Sequence, residues 1–214
     1  MVRISVLGGT GYGGGAVVRE AARRGHEVVA VSRSAPQSPV PGVRYVSGSV
    51  LDPTVLEPVV AGADVVFEAL SPRGDMAGKV EGVFADLVAL AQESGARLGV
   101  LGGASSLLVS AEGPRLLEVE PAAPEVLPEV ELGIHKLETL RESSEGLDWF
   151  YVSPAAEFGA WLPSSETGQY RISDDVLLRG PDGRSEISAG DLAIAVLDEV
   201  ERPTHRRRRF HVAH

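Results

Sequence analysis

Six glycines crowd the stretch VLGGTGYGGGAVV at residues 6–18. Glycine loses more conformational freedom on folding than any other residue and packs nothing, so this density marks backbone that turns sharply or is approached closely. Gly9, Gly11 and Gly14 spell G-x-G-x-x-G, and Gly8, Gly11 and Gly14 spell G-x-x-G-x-x-G. In either register one glycine makes the turn, Gly11 admits a diphosphate, and Gly14 lets a helix pack on a strand. The helix start then offers unpaired N–H groups and partial positive charge to the phosphates. No Lys-Ser or Lys-Thr follows the last glycine, which argues against a kinase-type phosphate loop.

A second position chooses the cofactor. About twenty residues past such a loop, an NAD site carries an acidic residue on the ribose hydroxyls. Here that place reads VSRSAP, with no Asp or Glu. Arg33, flanked by Ser32 and Ser34, suits a 2′-phosphate and predicts NADP(H) over NAD(H). The competing reading is a solvated arginine in a turn.

The elements that must hold these residues follow from pattern. Short β-branched runs at 2–7, 27–33, 43–48, 63–70 and 97–103 read as strands. Helices are expected at 16–24, 52–62 and 78–94. Gly25 and Gly95 close two of them, and Asp52 with Pro53 starts the other. This alternation predicts a Rossmann-type, doubly wound parallel α/β sheet with helices on both faces. Beyond 104 the rhythm loosens. Residues 112–131 read as a Pro/Glu-rich loop, 130–143 as a helix and 147–154 as a strand. Residues 169–172 and 176–178 read as a small hairpin, 190–200 as a helix and 208–213 as a last strand. We expect one NAD(P)-binding domain over 1–214, with a C-terminal substrate lobe from 105–130 and 155–190.

Composition narrows the partners. The 214 residues are 43% hydrophobic and 23% charged, ordinary for a globular chain, and the net charge of −10 opposes nucleic-acid binding. There is no cysteine, hence no disulfide, thiolate zinc site or cysteine nucleophile. No metal site is expected, because no His/Asp/Glu cluster has ligand spacing. No apolar run reaches membrane-spanning length and no signal peptide is evident, so a cytoplasmic monomer or homodimer is expected, without a membrane partner.

The motifs GGTGYGG, SRS, GSVLD and LGGASSL, each after a strand, resemble the atypical short-chain dehydrogenases. HKLETLRESSEGLDWFYVSPA and the later ETGQYRI and GRSEISAGDLAIAVLDE are similar to the second half of the NmrA-like and NADH-flavin-reductase-like group, which includes the biliverdin-IXβ/flavin reductases. The resemblance covers nearly the whole chain. It implies that Gly8, Thr10, Gly11, Tyr12, Gly13 and Gly14 surround the diphosphate and that Arg33 sits at the 2′-phosphate. Ser49 and Val50 fall beside the adenine, Ser49 standing where the family commonly has aspartate. Ala69, Leu70 and Ser71 lie along the cofactor, and Pro154 and Ala155, in the 153–156 loop, border the nicotinamide.

Most short-chain dehydrogenases carry Tyr-x-x-x-Lys, the tyrosine donating a proton and the lysine holding the ribose. LGIHK places Leu132 at the tyrosine position and Lys136 at the lysine position, so the acid is missing. The remaining candidates are Ser105, with Ser106 beside it, where the family's substrate-orienting serine lies, and His135, a residue type that exchanges protons near neutrality. Adjacent helix residues diverge by about 100°, so His135 and Lys136 cannot both face the nicotinamide. Either can equally be a surface residue. Phe158 and Trp161 wall an aromatic acceptor or simply pack the lobe. Trp149, Phe150 and Tyr151 read as core, and the basic THRRRRF run as a solvated strand edge. Two functions fit these residues: an NADP(H)-dependent reductase of a flavin or quinone-like small-molecule acceptor that needs no protein acid, and a non-catalytic NADP(H) redox sensor of the NmrA type.

Overall fold

Buried β-branched runs set the frame. The computed structural model describes residues 1–162 and 165–214. Strands β1 (Arg3–Leu7), β2 (Glu27–Ser32), β3 (Arg44–Ser47), β4 (Val65–Glu68), β5 (Arg97–Leu101), β6 (Trp149–Ser153), β7 (Arg171–Ser173) and β8 (Arg208–Ala213) form one sheet. Its order is β3-β2-β1-β4-β5-β6-β8-β7. All neighbours are parallel except β7 with β8. This is the Rossmann-type α/β arrangement predicted from the alternating pattern.

The helices are α1 (Tyr12–Arg23), α2 (Pro53–Ala61), α3 (Val80–Ser94), α4 (Leu116–Val119), α5 (Leu127–Glu142) and α6 (Ala189–Glu201). Local chemistry sets their ends. The Asp52 side chain accepts from Thr54 N–H with Pro53 at the first turn of α2, and Gly95 closes α3 in the left-handed conformation. α1 and α6 share one apolar cluster with Phe67, Phe150 and Phe210. Residues of α2, α3 (among them Phe84) and α5 share a second with Trp149 and Tyr151. Along β6, Trp149 and Tyr151 thus serve one face and Phe150 the opposite one, the period-2 alternation of a strand buried on both sides.

Four expectations are corrected. Helix α1 begins at Tyr12, not 16, so Gly13–Gly15 lie inside the helix. Crowding outweighs propensity there: a Cβ at Gly14 would stand 2.4 Å from the Gly8 carbonyl oxygen, and one at Gly13 2.7 Å from Leu101. Helix α5 starts at Leu127, and the short α4 lies within the segment read as loop. The expected hairpin does not form. β7 pairs with β8, and Val176 instead bridges Leu108. Finally, β8 is not a solvated edge. It lies between β6 and β7, and its Arg209 is buried because Asp175 and Ser106 take its N–H groups.

Candidate functional site

The parallel strands all end at one edge of the sheet, and the order in which strands are added reverses between β1 and β4. Crevices at such switch points are where open α/β sheets bind ligands. Gly8 leaves β1 with φ +81°, and a Cβ on it would lie 2.5 Å from the Ala69 carbonyl oxygen. Only glycine fits that close approach of two strand ends. The Gly11 backbone is the N-cap of α1, and no side chain caps the helix or places an acid in its first turn. A Cβ at Gly11 would meet only the Gly8 carbonyl, at 3.3 Å, so the space in front of it is open. Unpaired helix N–H groups facing open space suit an anion.

A cleft of about 840 Å³ runs along this edge. Gly8 and the 10–14 turn line one part of it. Ser32, Arg33, Ser34 and Val50 line another, and Ala69, Leu70 and Ser71 extend along it. Ser105, Pro154 and Ala155 also border it. The expected residues therefore meet in one cavity, with three departures.

His135 is exposed and stays out of the cleft. Lys136 and Leu132, four residues apart on α5, face inward, so the helical twist turns His135 away. Ser49 also lies outside, and its hydroxyl accepts from Leu51 N–H at 3.2 Å, closing a local turn. Lys136 lines the cleft, but its ammonium is neither solvated nor free for a ribose. It donates to Glu68 Oε1 and Oε2 at 2.7 and 2.9 Å and lies 3.3 Å from the Leu70 carbonyl. Both members of this pair are buried.

Glu68 escaped the sequence reading. The available signal was an acidic residue ending the otherwise apolar strand VVFE. Its carboxylate also accepts from Leu70 N–H at 2.9 Å, so the pair fixes the backbone that follows β4. Asp75 was missed too. It pairs with Arg33, which lines the cleft, both side chains being more than half exposed. Glu129 was likewise missed: it accepts from Ser71 Oγ at 3.0 Å and pairs with Arg73, tying α5 to the 71–73 loop.

The chemistry of the walls is spare. Leu132, at the position where the resemblance to short-chain dehydrogenases leads one to expect tyrosine, is buried and apolar. The Tyr151 hydroxyl reaches the cleft wall, yet it donates to Gly133 C=O at 2.9 Å and accepts from Gly103 N–H at 3.3 Å. Burial pushes this phenol up to about 12, so it holds its proton at neutral pH. Gly102 is required beside it, since a Cβ there would stand 1.9 Å from the ring. Ser105 and Ser106 bring hydroxyls to the cleft. Phe158 packs on Tyr12 at 5.1 Å between ring centroids, and Trp161 lies over Gly159 at the cleft, 68% exposed. Among the described residues no His/Cys/Asp/Glu group could hold a metal ion, and no helix is long and apolar enough to cross a membrane.

Known proteins share this fold. The NAD(P)H-binding family matches residues 8–203. The uncharacterized protein YwnB of Bacillus subtilis is 33% identical over 99% of this chain and 98% of its own. A Streptococcus pneumoniae structure provisionally named an NADH-flavin reductase is 27% identical and superposes with a TM-score of 0.82, covering 100% of this chain and 99% of its own. A Bacteroides thetaiotaomicron structure provisionally named an epimerase is 30% identical with a TM-score of 0.86, covering 100% and 98%.

Proposed function

The chain belongs to the NAD(P)H-binding family, in the atypical short-chain dehydrogenase group that resembles NADH-flavin reductases, and from that premise we propose an NADP(H)-dependent reductase of a flavin or quinone-like planar acceptor. One observation carries the reading. The glycine cradle, an arginine at the end of β2 and two hydroxyls after β5 line one continuous cleft, and the family's acid position is a buried leucine.

NADP(H), when bound, supplies the hydride, and the chain's residues bind and orient. Unpaired N–H groups at the start of α1 receive the diphosphate. Arg33 receives the 2′-phosphate, which must displace Asp75. Leu70, held by Glu68 and Lys136, supports the cofactor's length together with Ala69 and Ser71. Pro154 and Ala155 border the nicotinamide, with Phe158 and Trp161 as aromatic surface for a planar acceptor. A flavin or quinone takes its proton from water, so the leucine at position 132 is no obstacle.

The test is steady-state NADPH oxidation with a panel of flavins and quinones. Turnover with at least one planar acceptor is expected, with NADPH preferred to NADH. The second reading, a redox sensor that binds NADP(H) without turnover, is favoured by the same missing acid. Tight NADPH binding with no oxidation across the panel would select it.

A further inference from the structure

We propose that Arg209 is a positioning residue that makes Ser106, rather than Ser105, the hydrogen-bond donor to the acceptor; this rests on the oxidoreductase reading above. Arg209 lies on β8 in register with Tyr151 of β6, and paired residues of adjacent strands share a face of the sheet. Its side chain is 5% exposed and meets the cleft through Ser106. Nε donates to Asp175 Oδ1 at 2.8 Å, and Nη2 donates to the same oxygen. Nη1 donates to Ser106 Oγ at 2.8 Å.

The direction of that last bond determines the chemistry. A guanidinium has donors only, so the serine oxygen must accept and keep its own hydrogen free. Among the described residues, Ser106 Oγ donates to no protein group, and Ser106 lines the cleft. Its hydrogen is therefore available to an oxygen or nitrogen of a molecule bound there. The adjacent cation strengthens the hydroxyl as a donor, as ionised partners do. Ser105 also lines the cleft, but among the described residues no cation orients its hydroxyl. Asp175 holds the other side of the Arg209 guanidinium and also lies 3.7 Å from Arg141 Nη2, so one carboxylate is shared by two arginines and Nη1 is left to Ser106.

The role is to hold, not to transfer. NADPH gives a hydride and becomes NADP⁺. The acceptor gains two electrons and that hydrogen, then takes one proton from water. Ser106 keeps its proton and stabilises the acceptor atom on which negative charge gathers.

The test is a double-mutant cycle on the full chain with menadione and flavin mononucleotide as acceptors. Ser106→Ala and Arg209→Met are each expected to lower kcat/KM by roughly tenfold to a hundredfold, the effect of a charge-assisted hydrogen bond. The double variant should lose no more than the worse single, and NADPH affinity should stay within about twofold. Ser106→Thr, which keeps the hydroxyl, should restore most of the rate even if Arg209→Met folds poorly. Independent, additive losses from Ser106 and Arg209 would overturn the inference, as would coupling of Arg209 to Ser105 instead. Additive losses with normal wild-type turnover defeat this inference alone. Wild-type NADPH binding with no oxidation of NADPH by either acceptor defeats the reductase reading and the inference with it.

Discussion

At the scale of single residues, the glycines divide by what a Cβ would meet. In front of Gly11 there is open cleft, whereas Gly14 abuts the Gly8 carbonyl. Gly11→Val should therefore abolish NADPH binding while circular dichroism and melting stay close to wild type. Gly14→Val should lower the melting temperature itself, because backbone cannot yield 2.4 Å contacts without shifting α1. Thermal shift with and without NADPH separates the two, and equal destabilisation by both would refute the division. Arg33 makes a second residue-scale prediction. Arg33→Ala should weaken NADPH by roughly tenfold and leave NADH nearly unchanged. Its partner Asp75 repels a 2′-phosphate, so Asp75→Asn should tighten NADPH a few-fold, and more at low salt. Calorimetry at two ionic strengths checks this, and tighter NADH binding by the wild type would sink the assignment.

Elements are joined at the site by the Glu68–Lys136 pair. It links the end of β4 to the middle of α5 inside the protein, and Glu68 holds Leu70 N–H as well. A buried charge that loses its partner is far costlier than a pair removed together. Lys136→Met should cost about 3–5 kcal/mol in denaturant unfolding. Glu68→Gln combined with Lys136→Met should recover most of that loss. If the single variant unfolds like wild type, the pair contributes little and Lys136 is free to serve a ligand. The same pair engages the ammonium at the lysine position with Glu68 at 2.7 and 2.9 Å. Both groups are buried, and the low dielectric makes their attraction strong.

Across the whole molecule, stability is tied to pH through His211, buried on β8 between β6 and β7. Its Nδ1 lies 3.0 Å from the Ser153 carbonyl, so that nitrogen carries the hydrogen in the neutral ring. Burial lowers this histidine from 6.5 to about 4 despite that bond. The folded chain thus binds the proton less readily than the unfolded chain. The associated stability is fully present above about 6.5 and is lost as pH falls toward about 4. The loss is on the order of 2–3 kcal/mol, or several degrees in Tm. His211→Asn, whose amide can still donate to Ser153, should flatten that part of the profile. Melting curves between pH 4.5 and 7.5 test it, and an unchanged slope in the variant would assign the pH dependence to other groups.

The local and periodic features of the fold were legible in the sequence. Strand–glycine–helix order, the cap at Asp52 and the stops at Gly25 and Gly95 act over a few residues, so their signals lie side by side in the chain. The glycine loop and Arg33 belong to this class, as each follows its strand directly. What needed the tertiary structure was every relation between distant residues. The chain spaces Glu68 from Lys136, Arg33 from Asp75 and Ser106 from Arg209 by 42 to 103 positions, and no periodicity reports who meets whom across such gaps. The basic run at the end of the chain read as a solvated edge because charge usually avoids the interior. Only the placement of β8 between two strands, with Asp175 and Ser106 in reach, shows that Arg209 points inward and is paired. Local entropy and hydrogen bonding determine where the elements begin and end, but burial and charge pairing decide the partners, and both depend on the packed fold.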